Sequence, residues 1–210
     1  MAPKRTRGRL ITFEGIDGSG KSTQLTRSAS HLKKRGFDIA VLREPGSTKV
    51  SEKIRRILLD PTLEISDLTE LLLYEAARAE IVDKQIRPLM ERGTIVLCDR
   101  FYDSTTAYQG YGRKLDLDMV KRLHTVAVGS LHPDLTFVFD LPLTVALTRR
   151  GKNPDRLESQ SLAFFRRVAR GFREIARTEP QRVKLIDARG TVDHTFRSVV
   201  RVLDRLLGPK

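Results

Sequence analysis

The chain is 210 residues long, 40% hydrophobic and 31% charged, a composition that fits one soluble globular domain with a substantial core. No apolar run is long enough to span a bilayer, and no apolar segment follows the basic start as a secretory signal requires. The single cysteine, Cys98, excludes an internal disulfide and suits a reducing, cytoplasmic setting. The net charge of +13 raises nucleic-acid binding, yet Lys4, Arg5, Arg7 and Arg9 lie in the first nine residues, of which 1–8 form a short tail expected to be disordered. Much of the remaining charge lies between Arg149 and Arg177, and the sequence lacks aromatic-basic interleaving and zinc-finger spacing, so nucleic acid is not the expected partner.

Leu10–Glu14 alternates as a strand and leads directly into Gly15-Ile16-Asp17-Gly18-Ser19-Gly20-Lys21-Ser22, a complete G-x-x-x-x-G-K-[ST] loop. Thr23 follows, and a helix is predicted over Lys21–Arg35 with Gly36 as its stop. Strand, loop and helix in that order place backbone N–H groups and a helix N-terminus around a phosphate, with Lys21 on the β- and γ-phosphates and Ser22 on Mg²⁺. Next come a strand over Asp38–Arg43, ending in Arg43-Glu44-Pro45-Gly46, and helices over Val50–Leu59 and Asp67–Glu91. Pro88 is expected to kink or shorten the last of these, and Gly93 to stop it.

A strand over Thr94–Cys98 ends in Cys98-Asp99-Arg100. Asp99 at that tip reads either as a Mg²⁺ ligand or as a helix N-cap. Arg43 and Arg100, at two strand tips, are costly to half-bury unless they meet an anion, which points to a second phosphate facing the first. A helix over Leu117–Val128, a strand over Leu135–Asp140, helices over Pro142–Arg150 and Ser159–Thr178, a strand over Val183–Asp187 and a helix over Val192–Leu207 complete the chain. The alternation predicts an α/β protein of the P-loop NTPase fold. It is an open, mostly parallel five-stranded sheet with helices on both faces, forming a single domain over residues 9–210. Ligands then lie outside the carboxyl ends of the strands. The histidines share no motif and are read as structural or surface residues.

The stretch from Asp99 to Gly110, Asp-Arg-Phe-Tyr-Asp-Ser-Thr-Thr-Ala-Tyr-Gln-Gly, resembles the D-R-x-x-x-S-x-x-A-Y-Q-G block of thymidylate kinases. Phe13 to Asp17, Arg43 to Gly46, Ala76 to Arg78, Pro133 to Leu135 and Ile186 to Ala188 follow in that family's order, over about residues 9–205. The resemblance implies transfer of the ATP γ-phosphoryl group to thymidine monophosphate with Mg²⁺, in a cytoplasmic homodimer packed through the helices over Val50–Leu59 and Asp67–Glu91. It implies that Arg43 and Arg100 grip the acceptor phosphate and that Arg78 bonds the thymine ring. Tyr74 stacks on that ring, a core aromatic being the alternative reading of its position. Asp17 takes the sugar 3′-hydroxyl, Ser104 and Thr105 lie near the base edge, Tyr108 presses on the sugar, and Gln109 lines the same pocket.

Arg149 to Glu158 is a basic segment punctuated by Gly151 and Pro154, in keeping with a lid over phosphates at about residues 150–158. Some thymidylate kinases carry a catalytic arginine within the phosphate loop and others supply it from the lid. Gly18 stands where the first kind has arginine, so Arg149, Arg150 and Arg156 are the lid candidates. Ser47, Tyr74 and Glu75 depart from the family pattern, which has glycine, phenylalanine and a small or apolar residue there. The remaining alternatives are a kinase for another nucleoside monophosphate and a basic P-loop ATPase or nucleic-acid switch.

Overall fold

The computed structural model describes residues 7–149 and 155–208. Its five strands are β1 (Leu10–Glu14), β2 (Ile39–Arg43), β3 (Ile95–Asp99), β4 (Leu135–Asp140) and β5 (Val183–Asp187). They form one parallel sheet in the order β2-β3-β1-β4-β5. The three central strands are near-continuous apolar runs because both their faces are covered. On one face Phe13, Phe137 and Phe139 pack with Leu25, Leu32, Phe165, Phe172 and Leu203. On the other, Leu10, Val96 and Cys98 pack with Ile81, Ile86, Met90, Phe101 and Val128.

The helices are α1 (Lys21–Lys34), α2 (Lys49–Leu59), α3 (Asp67–Ile81), α4 (Arg87–Glu91), α5 (Tyr102–Thr105), α6 (Leu117–Val128), α7 (Leu143–Thr148), α8 (Leu162–Thr178) and α9 (Val192–Leu207). Thr48, Ser66, Asp116, Ser161 and Thr191 cap five of them through their side chains. Helix α1 differs: Gly20 precedes it in the left-handed region (φ 87°) and no side chain caps it. The N–H groups of its first turn are thereby left to face an anion.

The long helix expected over Asp67–Glu91 is three pieces, α3, a π-helical turn over Val82–Ile86 and α4, with Pro88 in the first turn of α4. Proline removes an N–H and crowds the carbonyl four residues back, and the widened turn absorbs both effects. A second π-helical segment, Thr106–Gly112, continues α5, so the Asp-Arg block is helical where no helix was predicted. Gly8, assigned to the tail, is buried, and its N–H donates to the Met90 carbonyl at 2.8 Å. The rest of the tail through Thr6, and the lid residues Arg150 to Pro154, lie outside the described residues.

Candidate active site

β1 runs into the phosphate loop, where Gly15 and Gly18 bend the chain at places with no room for a side chain. Gly18 has φ 83°, and a Cβ there would meet the Ala146 carbonyl at 2.3 Å. An arginine at this position is excluded by both facts, which supports the lid-arginine reading. Asp17 projects from the loop between two cations. Lys21 Nζ donates to its Oδ1 at 2.9 Å and Arg100 Nη2 to the same atom at 2.7 Å. Burial alone would raise the Asp17 pKa, but the Arg100 and Lys21 charges outweigh it and hold the carboxyl well below its usual range. Burial, reinforced by the Arg100 charge, pulls Lys21 down. A cavity of about 520 Å³ opens over Gly18 to Thr23 and reaches Arg149, Gly190, Val192 and Thr195. Its size and its N–H-lined floor suit a nucleoside triphosphate.

Asp17 also lines a second cavity, of about 190 Å³, with Tyr74, Arg78, Arg100, Ser104, Thr105, Tyr108 and Gln109. Helix α3 supplies Tyr74 and Arg78, and the helix and π-helical segment after β3 supply Ser104 through Gln109. Arg100 is held by the Gly15 carbonyl at 3.0 Å and the Ser104 hydroxyl at 2.8 Å, with its guanidinium 5.3 Å from the Tyr108 ring centre. It has φ 69°, an unusual conformation for arginine that aims the side chain back across the loop. Ser104 in turn donates to Glu14 at 2.5 Å, and the Phe101 N–H donates to the other oxygen of Glu14 at 2.7 Å. Burial, with the Asp103 charge adding to it, pushes the Glu14 carboxyl up to about 8.

Arg78 is only 1% exposed yet forms part of the cavity wall. Its Nε donates to Glu44 at 2.9 Å, Nη1 to Glu75 at 2.7 Å and Nη2 to Thr105 at 2.8 Å. Burial opposes its charge, but Glu75 and Glu44 hold it ionised. Glu44 itself is pushed up to about 7 by burial, against the pull of Arg78. Gln109 donates to Glu70 at 2.7 Å. Burial raises the Tyr74 hydroxyl above its usual range, so it stays a neutral donor in the wall.

Several predicted residues stand elsewhere than expected. Arg43 does not line the acceptor cavity; it is half exposed and held by Glu52 at 2.7 Å. Arg55 of α2 lines the cavity instead, donating to the Pro45 carbonyl at 3.1 Å. Sequence reasoning passed over it, although Ser51, Arg55 and Leu58 share one helix face whose flanking members are buried, the signal of an arginine turned inward. Arg156 does not face the phosphate loop: Nη2 sits 2.6 Å from Glu70 and Nε donates to the Leu58 carbonyl at 2.9 Å, because a buried carboxylate holds a guanidinium better than water does. Arg149 is exposed and approaches the Gly18 carbonyl at 3.4 Å, and Arg150 lies outside the described residues.

Asp99 ends β3 beside β1 and does not cap a helix, since Phe101 occupies that place before α5. It accepts the Ser22 hydroxyl at 2.7 Å, and its Oδ1 is buried without a hydrogen-bond partner among the described residues. Two hard oxygens, one of them orphaned, fit a Mg²⁺ ion that takes its remaining ligands from phosphate and water.

A sequence model of the thymidylate kinase family matches residues 13–199. The thymidylate kinase of Chlorobium luteolum is 46% identical over 206 residues, covering 93% of this chain and 96% of that one. The thymidylate kinase of an Exiguobacterium species is 48% identical over 190 residues, covering 89% of each. The crystal structure of thymidylate kinase from Ehrlichia chaffeensis superposes with a TM-score of 0.76 at 34% identity, covering 94% of this chain and 99% of that one. The phosphate loop, the second cavity and the Asp-Arg block all fall within the matched span, and the chain belongs to the thymidylate kinase family.

Proposed function

We propose that the protein transfers the γ-phosphoryl group of ATP to thymidine monophosphate, giving ADP and thymidine diphosphate. The observation that carries this reading is the meeting of two cavities at Asp17, where Lys21 from the triphosphate side and Arg100 from the acceptor side share one carboxylate oxygen. A hydrolase needs only the first cavity. A kinase needs both, with cations at their junction.

The acceptor phosphate has a second pKa of about 6 and is largely dianionic at neutral pH, so the reaction requires no general base. The barrier comes from bringing two anions together, and fixed positive charge and positioning lower it. Lys21 exchanges Asp17 for the β- and γ-phosphate oxygens of the donor. Arg100 turns its guanidinium toward the acceptor phosphate, and Arg55 adds charge at the same end. Arg78 hydrogen-bonds the base, Tyr74 stacks on it, and Tyr108 packs on the sugar. Arg149 and Arg150 cover the phosphates from the lid. Ser22 and Asp99 would hold a Mg²⁺ ion, which would supply charge neutralisation for the phosphates.

Among the described residues no helix is long and apolar enough to cross a membrane, and a cytoplasmic setting accords with the substrates. Val50 and Ile57 of α2 and Leu68 and Leu72 of α3 are exposed, and they are the proposed seat of a homodimer. Sedimentation of the wild type against a Leu68→Glu/Leu72→Glu variant tests the dimer: a shift from dimer to monomer supports it, and a monomeric wild type rejects it. Release of ADP stimulated by thymidine monophosphate tests the reaction.

A further inference from the structure

We infer that Glu75 and His124, which line neither cavity, are positioning residues that fix Arg78 for the base of the acceptor nucleotide. The inference rests on Arg78 being the residue that contacts the base.

A single oxygen, Glu75 Oε1, accepts Nη1 of Arg78 at 2.7 Å and Nδ1 of His124 at 2.8 Å. Ionised Glu75 only accepts, so Nδ1 of His124 carries the proton. The neutral ring then presents Nε2 as an acceptor, which the Thr106 hydroxyl fills at 2.9 Å. The ring is also stacked on Tyr102, with centres 5.2 Å apart and planes 21° apart. His124 is thus fixed at both nitrogens and on one face, and it fixes Glu75.

The effect on Arg78 follows from its donors. Nε is taken by Glu44, one N–H of Nη1 by Glu75 and one N–H of Nη2 by Thr105. Each terminal nitrogen retains one N–H, and Arg78 lines the cavity wall. Donors held at that wall suit a pyrimidine carbonyl oxygen. Without Glu75 the Nη1 end loses its anchor, and only Glu44 and Thr105 on the other side hold the guanidinium in place.

Stability does not account for Glu75. The residue is 5% exposed and its second oxygen, Oε2, is buried without a hydrogen-bond partner among the described residues. Such a group costs folding free energy that an apolar side chain would not. The family resemblance leads one to expect a small or apolar residue at this position, where this chain carries Glu75.

The test is steady-state kinetics with each substrate varied at saturating levels of the other, on the full chain and on Glu75→Ala, Glu75→Gln, His124→Ala and His124→Asn. Glu75→Ala and His124→Ala should raise the KM for thymidine monophosphate about tenfold while the KM for ATP stays within about twofold. His124→Asn should restore the wild-type value to within about threefold, because its side-chain N–H stands where Nδ1–H stood. In an Arg78→Ala background, Glu75→Ala should add nothing. If Glu75→Ala fails to fold, the isosteric Glu75→Gln carries the comparison. An unchanged acceptor KM, an equal rise in the ATP KM, or additivity with Arg78→Ala overturns the inference while leaving the reaction intact. A wild type that releases no ADP in response to thymidine monophosphate overturns the reaction itself, and this inference with it.

Discussion

The Arg100 guanidinium lies 2.7 Å from Asp17 Oδ1, tying the tip of β3 to the phosphate loop that follows β1. Lys21 reaches the same oxygen at 2.9 Å, so one carboxylate neutralises two cations that the substrates' phosphates are to occupy. Asp17→Asn should leave those cations facing each other and lower the unfolding free energy by about 1 kcal/mol, solvent at the half-exposed Asp17 keeping the figure small. Bound triphosphate supplies the missing charge. The rise in melting temperature on adding ATP, read by differential scanning fluorimetry, should therefore be larger in the variant than in the wild type.

Arg78 anchors two buried carboxylates as well as facing the cavity. Arg78→Ala should raise the KM for thymidine monophosphate by about a hundredfold, with the ATP KM within about threefold. Removing one partner from a buried ion cluster costs about 3–5 kcal/mol, so urea denaturation should find the variant that much less stable at pH 8. Because Glu44 is already pushed up to about 7, the deficit should shrink at pH 6, where that carboxyl takes a proton.

Glu14 sets a pH dependence in the folded protein. Its carboxyl is raised from 4.5 to about 8, chiefly by burial, so between those values the native state holds a proton that the unfolded chain has released. Stability therefore falls as pH rises from 4.5 to about 8 and levels off above that. Glu44 acts in the same direction between 4.5 and about 7. Glutamine at position 14 can accept from the Phe101 N–H and donate to Ser104, without titrating. The decline in melting temperature between pH 6 and pH 9 should be shallower in Glu14→Gln than in the wild type.

Ser47 stands where the family has glycine and keeps a glycine-like backbone, with φ 67°. Its hydroxyl accepts the Arg43 N–H at 2.9 Å and donates to the Arg43 carbonyl at 3.2 Å, while its own N–H donates to Glu52 at 2.9 Å. Left-handed backbone costs a non-glycine residue about 1–2 kcal/mol, which these bonds offset. Ser47→Ala retains the strain and loses the two hydroxyl bonds, and should destabilise by about 1 kcal/mol. Ser47→Gly loses both, and should stay within about 0.5 kcal/mol of the wild type. Thermal unfolding of the pair checks the balance.

The strands are legible in the sequence to within a residue at each end, because buried parallel strands are written as uninterrupted apolar runs. The helix that follows β3 is not. Thr105, Thr106, Gly110 and Gly112 are poor helix formers, and what holds the segment is packing against other elements. Gly112 is one such place: a Cβ there would stand 2.7 Å from the Phe164 ring of α8. In the site, the phosphate loop and the Asp-Arg block announce themselves because their chemistry demands fixed spacing. Arg55 and the Glu44–Arg78–Glu75–His124 chain do not, since their members come from three helices and the loop after β2 and only the fold joins them. Arg156 misled for a related reason: its charge suggested phosphate, whereas Glu70, distant in sequence and buried, claims it.

The most direct test of the account is ADP release from Mg·ATP with a panel of nucleoside monophosphates and with thymidine. The account predicts strong stimulation by thymidine monophosphate and little by thymidine, because Arg100 and its neighbours require a phosphate on the acceptor. Equal or greater stimulation by another monophosphate, or none by any of them, would contradict it.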